Sequence, residues 1–269
     1  MKISILGCGW LGLPLGKYLV AQGHQVKGST TSEAKFPSLQ AVGISPFVLK
    51  FSPEIESDNL AAFLNSDILI ICIPPRAGKF GEDYHVQQIQ SLITSLSLSS
   101  IQSILYTSST SVYPDLNRVI YEDDEVIASS TLIKVENLLK GLDLATTILR
   151  CGGLMGQERI GAKYFAGKRI NTGQIPVNYI HQDDVIGIIA MILEKGFWNE
   201  TFNAVSPEHP VREAVFLKNC EEYGFEKPIF EEATEAIPFK IISPQKLIQQ
   251  TGYQFKYANP LEYLYFLSE

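Results

Sequence analysis

The chain has 269 residues, 45% of them hydrophobic and 10% aromatic, with 29 acidic against 22 basic side chains and a formal net charge of -7. That apolar content is enough for a large core and excludes a disordered chain, while the negative field opposes nonspecific binding to nucleic acid or an anionic membrane. No stretch is long and apolar enough to span a bilayer and the amino terminus lacks the basic and apolar regions of a secretory signal, so a cytoplasmic protein is expected.

The first thirty residues carry the strongest pattern. An apolar strand, Ile3 to Leu6, runs into Gly7-Cys8-Gly9-Trp10-Leu11-Gly12 and then into a helix with Leu11, Leu15, Tyr18 and Leu19 on one face. In that order Gly7 makes the tight turn, Gly9 lets backbone approach a pyrophosphate, and Gly12 lets the helix pack closely on the strand. The N–H groups at the helix start, around Trp10 and Leu11, attract phosphate. A second strand, Gln25 to Gly28, completes the start of a βαβ unit and leads into Ser29, Thr30, Thr31 and Ser32. A dinucleotide fold selecting NAD places Asp or Glu there for the ribose hydroxyls. Hydroxyls with Lys35 nearby tolerate a 2′-phosphate, which favours NADP over NAD. The same residues also suit a polar loop that caps the next helix through Ser32 or Thr31.

A third strand is expected over Pro46 to Phe51 and a short helix over Asp58 to Leu64. The run Asp67 to Ile73 is a strand buried on both faces. It ends at Pro74-Pro75-Arg76, where the nicotinamide half of a cofactor should pass; Arg76 suits either an anion or plain solvation. Helical spacing covers Glu82 to Leu98, and Ile101 to Tyr106 is another buried strand. It opens into Thr107, Ser108, Ser109, Thr110, Ser111, Val112 and Tyr113, a cluster of hydroxyls at the sheet edge where ligands bind. A helix over Ser129 to Leu139 and a strand over Ala145 to Leu149 follow.

Beyond Arg150 the sequence from Gly152 to Gln174 is glycine-rich and polar, suited to lining a pocket. Val177 to Ile180 is expected to be a strand, Asp183 to Leu193 a helix, Thr201 to Val205 a strand, and Arg212 to Tyr223 and Pro244 to Gln250 helices. The four cysteines, Cys8, Cys72, Cys151 and Cys220, have no CxxC spacing and read as buried free thiols. The four histidines show no metal-ligand spacing, so no metal is expected.

Four segments taken in order resemble the extended short-chain dehydrogenase/reductase superfamily, the NAD-dependent epimerase and dehydratase group. They are Gly7 to Gly12; Ser108 to Tyr113, similar to SSxxVYG; Leu149-Arg150 with Gly152 to Gly156; and Tyr179 to Val185. The resemblance implies an α/β fold, a Rossmann doubly wound parallel sheet with a small C-terminal α+β substrate lobe. The expected division is 1-155 as dinucleotide-binding core, rejoined by about 177-205, with 156-176 and 206-269 as the lobe. It further implies an NAD(P)-dependent oxidoreductase or epimerase acting on a small hydroxyl or carbonyl compound such as a sugar or sugar nucleotide.

Carried over by position, Ser109 matches the family's catalytic Ser/Thr. Thr110 and Ser111 stand where sugar-nucleotide dehydratases have Asp and Glu, which disfavours dehydration of that type. The family's YxxxK pair has no tyrosine here. Lys134 is the lysine in that region, yet the apolar pattern with Glu136 puts Ala128 and Leu132 in the pair's places. The glycine turn also departs, since extended members usually show GxxGxxG. Such a chain is an atypical member, and a cofactor-binding regulatory module without turnover is the alternative. The candidate sites are Ser109 and Lys134 for catalysis, and Gly7, Gly9, Trp10, Leu11, Gly12, Ser29, Thr30, Thr31, Pro74, Pro75, Thr107 and Ser108 for the cofactor. Ser109, Thr110, Tyr113, Asn178 and His181 are the candidates for substrate. Homodimerisation through the helices at 82–98 and 129–139 is compatible with their spacing.

Overall fold

The computed structural model describes residues 1–51 and 53–267. It contains a seven-stranded sheet of β1 (Lys2–Leu6), β2 (Gln25–Thr30), β3 (Ser45–Val48), β4 (Ile68–Ile71), β5 (Ser103–Ser109), β6 (Ala145–Cys151) and β7 (Thr201–Ala204). The order is β7-β6-β5-β4-β1-β2-β3, a parallel, Rossmann-like α/β arrangement. β4 is buried at every position, as its unbroken Ile-Leu-Ile-Ile run requires of a strand between two neighbours. It pairs Ile3 with Ile68 on one side and Ile71 with Tyr106 on the other. The chain builds outward from β1 through β2 to β3 and then returns to the opposite side of β1 with β4. That reversal is the place where open α/β sheets hold ligands beyond the carboxyl ends of their strands.

The α-helices of five residues or more are α1 (Gly12–Ala21), α2 (Phe36–Gln40), α3 (Leu60–Leu64), α4 (Tyr84–Leu96), α5 (Thr131–Lys140), α6 (Gln182–Lys195), α7 (Arg212–Tyr223) and α8 (Gln245–Thr251). α1 buries Gly12, Leu15, Gly16 and Leu19. Tyr18, expected on that face, is 41% exposed. The buried row is set by its glycines: a Cβ at Gly16 would stand 2.5 Å from Ile44 Cδ1, so the helix rests close on its neighbours along that line.

Several boundaries differ from the sequence pattern. The strand expected over 46–51 is divided: β3 ends at Val48, and Lys50–Phe51 pairs antiparallel with Ile55–Glu56. β5 continues three residues past Tyr106, because Thr107 donates to the Ile71 carbonyl at 2.9 Å and keeps the hydroxyl run within the sheet. The glycine-rich stretch after Arg150 does contain a strand, Gly153–Met155, paired parallel with Tyr179–His181.

The chain falls into two compact units. The first is Met1–Ser108, Ile127–Leu149 and Ile192–Thr201; the second is Ser109–Val126, Arg150–Met191 and Phe202–Glu269, described here to residue 267. The first holds most of the sheet, with Ile3, Ile5, Leu15, Ile70, Leu92, Ile104 and Leu105 fully buried. The second unit joins 156–176 and 206–267, expected as the lobe, with 109–126, 150–155, 177–191 and 202–205, which the sequence division assigns to the core. That unit carries the short parallel pairs Arg169–Ile170 with Ile229–Phe230 and Val119–Ile120 with Ile241–Ile242. One of its cores gathers Ala162, Val177, Val215, Phe216 and Cys220, and another gathers Ile160, Tyr257, Tyr263 and Tyr265.

No helix among the described residues is long and apolar enough to cross a membrane, and no group of three or more His, Cys, Asp or Glu side chains is placed to hold a metal ion.

Candidate functional site

In the first unit the turn between β1 and α1 is fixed by two glycines and left open at a third. Gly7 has φ +100°, and a Cβ there would lie 2.8 Å from Ile73 Cγ2 and 3.2 Å from the Cys72 carbonyl. A Cβ at Gly12 would lie 2.2 Å from the Gly7 carbonyl oxygen, closer than any real contact. Gly9 has no such constraint: its backbone is exposed and a Cβ would meet nothing within 4 Å. The fold therefore needs glycine at positions 7 and 12 but not at 9, where the empty space lies before the first turn of α1. At the helix start the Leu13 N–H donates to the Gly9 carbonyl at 3.0 Å and Pro14 has no N–H, so a phosphate placed there would meet the N–H groups of Leu11 and Gly12.

The turn is clamped from β2. The Gly7 N–H donates to Ser29 Oγ at 2.8 Å and the Cys8 N–H donates to the Ser29 carbonyl at 2.8 Å. Ser29 is 3% exposed, so its hydroxyl belongs to the turn. Cys8 is packing: burial pushes its thiol up to about 12, leaving it neutral, and a Cβ on Gly28 would strike its sulfur at 2.5 Å.

Beside the turn lies a cleft walled by Leu6 and Gly7, by Ser29, Thr30 and Thr31 at the end of β2, and by Leu49 and Phe51. Ile73, Pro74 and Arg76 follow β4 into it, and Tyr84 and Gln88 of α4 close it. No Asp or Glu stands among the described residues that line it. Thr31 is exposed, whereas Ser32 caps the next turn by accepting the Ala34 N–H at 3.3 Å. Lys35 is exposed and Pro75 half-buried, and neither lines the cleft. Tyr84 donates its hydroxyl to the Phe51 carbonyl at 2.5 Å and stacks on Phe80 with centroids 4.5 Å apart.

Under Gln88 lies a buried polar group. His85 Nδ1 is 3.1 Å from Gln88 Oε1 and its Nε2 is 3.0 Å from the Tyr106 hydroxyl. Ser108 donates to Glu136 Oε1 at 2.6 Å, with both residues buried. The hydroxyls of Thr107 and Ser108 are thus engaged by protein groups. Lys134 is exposed on α5 and pairs with Asp83 at 3.5 Å. Gln88, Tyr84, Leu49 and Phe51 were not singled out by sequence reasoning. His85 and Gln88 did carry a signal, since they are polar residues at positions that share the buried face of α4 with Ile89, Leu92 and Leu96.

In the second unit Ser109 Oγ accepts the Ser111 N–H at 3.1 Å, which leaves its own proton available to donate. Thr110 is 6% exposed. Tyr113 is fully buried; its hydroxyl donates to Asn203 Oδ1 at 2.8 Å and accepts from Arg150 Nη1 at 2.7 Å. Burial raises the pKa of this phenol, with Arg150 working against it. Asn178 holds the backbone at 240–242, donating to the Lys240 carbonyl at 2.9 Å and accepting the Ile242 N–H at 2.8 Å. His181 is 3% exposed, contacts the Leu264 carbonyl at 3.2 Å through Nε2 and accepts the Asp183 N–H at 3.2 Å on Nδ1. Asp184, buried, accepts from the Tyr253 hydroxyl and from the Lys256 and Tyr257 N–H groups, tying residues 253–257 to the start of α6.

No protein-family model matches the chain. It is 33% identical to protein YeeZ of Escherichia coli (strain K12) over 267 residues, 97% of each chain. Among solved structures it is similar to a provisionally named NAD-dependent epimerase/dehydratase from Methylobacillus flagellatus, with TM-score 0.75 and 25% identity over 96% of this chain and 94% of that one. It is also similar to the UDP-glucose-4-epimerase of Stenotrophomonas maltophila with bound NAD and formylated UDP-arabinopyranose, with TM-score 0.80 over 97% and 95% of the two chains. At 14% identity this last likeness is one of fold.

Proposed function

The chain belongs to the family of Escherichia coli protein YeeZ, and from that premise, with the glycine turn and its cleft, we propose that it binds a nicotinamide dinucleotide, NADP in preference to NAD. We propose further that it acts as an oxidoreductase or epimerase on a small hydroxyl or carbonyl compound of the sugar or sugar-nucleotide class. The observation that carries this reading is Gly9, where neither φ nor packing asks for glycine and open space lies against the backbone. A lining without carboxylates among the described residues supports the 2′-phosphate form, since the acid that binds unmodified ribose hydroxyls in NAD-selective folds would repel it. Bound there, the dinucleotide supplies hydride transfer. Gly7, Gly12 and Ser29 shape the turn, Thr30, Thr31 and Pro74 line the cleft, and Trp10 and Leu11 lead into the helix start. Ser109 keeps a hydroxyl proton to donate to a substrate oxygen. The sugar class is supported by solved relatives of the fold whose names include UDP-glucose and UDP-glucuronic acid epimerases.

A second reading, a dinucleotide-binding regulatory module without turnover, is favoured by one set of observations. On the family resemblance Ala128 and Leu132 fall in the places of the tyrosine and lysine pair; Lys134 pairs with Asp83 at 3.5 Å, and the Tyr113 phenol is bonded to Arg150 and Asn203. Titration calorimetry with NADPH and NADH, followed by turnover assays over sugar nucleotides, aldehydes and ketones, separates the readings. Binding of NADPH more tightly than NADH with turnover is the expected result. Binding without turnover across the panel selects the regulatory module, and no heat with either dinucleotide at millimolar concentration overturns both.

A further inference from the structure

Two polar side chains, Arg76 and Gln88, line the cleft with donors that no group among the described residues takes up. The Arg76 guanidinium makes no ion pair or hydrogen bond among the described residues, and it is the one cation among those that line the cleft. Its backbone has φ +50°, a region that a side-chain-bearing residue rarely occupies and that concentrates at ligand clamps.

Gln88 supplies the second donor through a chain of buried hydrogen bonds. Its Oε1 faces His85 Nδ1 at 3.1 Å, and a carboxamide oxygen only accepts, so Nδ1 carries the proton. Burial keeps the imidazole neutral, which leaves a lone pair on Nε2. The Tyr106 hydroxyl, 3.0 Å away, then donates to it. The sequence Tyr106 to His85 to Gln88 thereby commits the amide oxygen inward. The Gln88 amide nitrogen is left with two protons and no protein acceptor among the described residues, on a residue that lines the cleft. Around these two donors stand the Thr30 and Thr31 hydroxyls and, among the described residues, no carboxylate. In a chain of net charge -7 such a wall is a local exception, and its chemistry is that of a site for phosphate oxygens.

We infer that Arg76 and Gln88 hold a phosphate of the dinucleotide, with His85 and Tyr106 as positioning residues that turn the Gln88 amide nitrogen toward it. This rests on the dinucleotide reading above and goes beyond it by naming the donors and how one of them is oriented. Neither residue belongs to the glycine turn.

The test titrates purified wild-type protein and five variants, four single and one double, with NADPH and with NADH. Arg76→Gln removes the charge and Gln88→Glu replaces the donor with a carboxylate oxygen while keeping the acceptor for His85. Each is expected to weaken binding roughly tenfold to a hundredfold, the scale of a lost charge-assisted hydrogen bond. Arg76→Lys is expected to recover part of the loss. A loss confined to NADPH assigns the donors to the 2′-phosphate; an equal loss with NADH assigns them to the pyrophosphate. Tyr106→Phe is expected to weaken binding, and to cause no further loss when added to Gln88→Glu; a merely structural tyrosine would lower affinity equally in both backgrounds and would remove the positioning role. Unchanged affinities for Arg76→Gln and Gln88→Glu, beside a wild-type protein that binds, overturn the inference and leave the dinucleotide reading standing. A wild-type protein that binds neither dinucleotide overturns both.

Discussion

At the scale of single residues, Gly9 and Gly12 belong to one motif and answer to different forces. Gly12 is demanded by the fold, because the Gly7 carbonyl oxygen occupies the place a methyl would take. Gly9 is demanded by nothing in the protein. The same substitution at the two positions therefore separates folding from binding. Gly12→Ala is expected to lower the melting temperature strongly, since a backbone carbonyl cannot rotate away as a side chain can. Gly9→Ala is expected to change stability by no more than about 0.5 kcal/mol, as surface substitutions do. Its affinity for NADPH should fall by roughly tenfold, the effect of crowding a close contact by one methyl. Thermal unfolding beside calorimetry reads both quantities, and a Gly9→Ala protein that binds NADPH as the wild type does would sink the cradle reading. The glycine spacing was legible in the sequence because it is local. Ser29 as the clamp of that turn was not, since its hydrogen bond to Gly7 spans 22 residues and the hydroxyl run suggested a 2′-phosphate contact or a helix cap.

Among elements, the strand Tyr179–His181 shows how a residue's environment is set by segments far away in sequence. His181 lies against the Tyr257 ring with centroids 4.0 Å apart and against Tyr263 at 5.3 Å. Its Nδ1 accepts the Asp183 N–H, so Nε2 holds the proton and donates to the Leu264 carbonyl. Burial lowers the imidazole pKa, against the Leu264 carbonyl, Asp183 and Asp184, with Lys256 adding to the lowering. A folded pKa below the unfolded value of about 6.5 gives stability that is present above that pH and is lost as the pH falls toward the folded value. Buried Asp184 and Glu122 have raised values and act in the opposite sense, gaining stability on acidification. The difference between wild type and His181→Gln isolates the histidine. The wild-type advantage is expected to shrink as the pH is taken from 7.5 to below about 6.5, followed by denaturant unfolding at each pH. An advantage that stays constant with pH would show that the ring is not held neutral. The sequence placed His181 and Asn178 in a segment of recognisable pattern, but their partners, Leu264 and residues 240–242, come from the tail, whose approach no local period encodes.

For the whole molecule, the alternation of apolar strands with amphipathic helices was enough to read the doubly wound sheet, since each period reports which faces are buried. The grouping of segments into two units depends instead on long-range contacts, and its boundaries fall inside β5, β6 and β7, where strand periodicity runs on unbroken. The net charge of -7 is likewise a property of the whole chain that hides a cleft lined, among the described residues, by a cation and no acid. A ligand held only by the native state stabilises it through mass action, by about 2.7 kcal/mol at a hundredfold excess over its dissociation constant. For a chain of this size that corresponds to a rise in melting temperature of about 5–10 °C. NADPH is expected to produce that rise and to slow amide hydrogen exchange in segments 7–12, 29–31, 73–76 and 84–88, which arrive at one cleft from four places in the sequence. Stabilisation with protection elsewhere and none in these four segments would place the ligand away from the glycine turn and refute its assignment as the cradle.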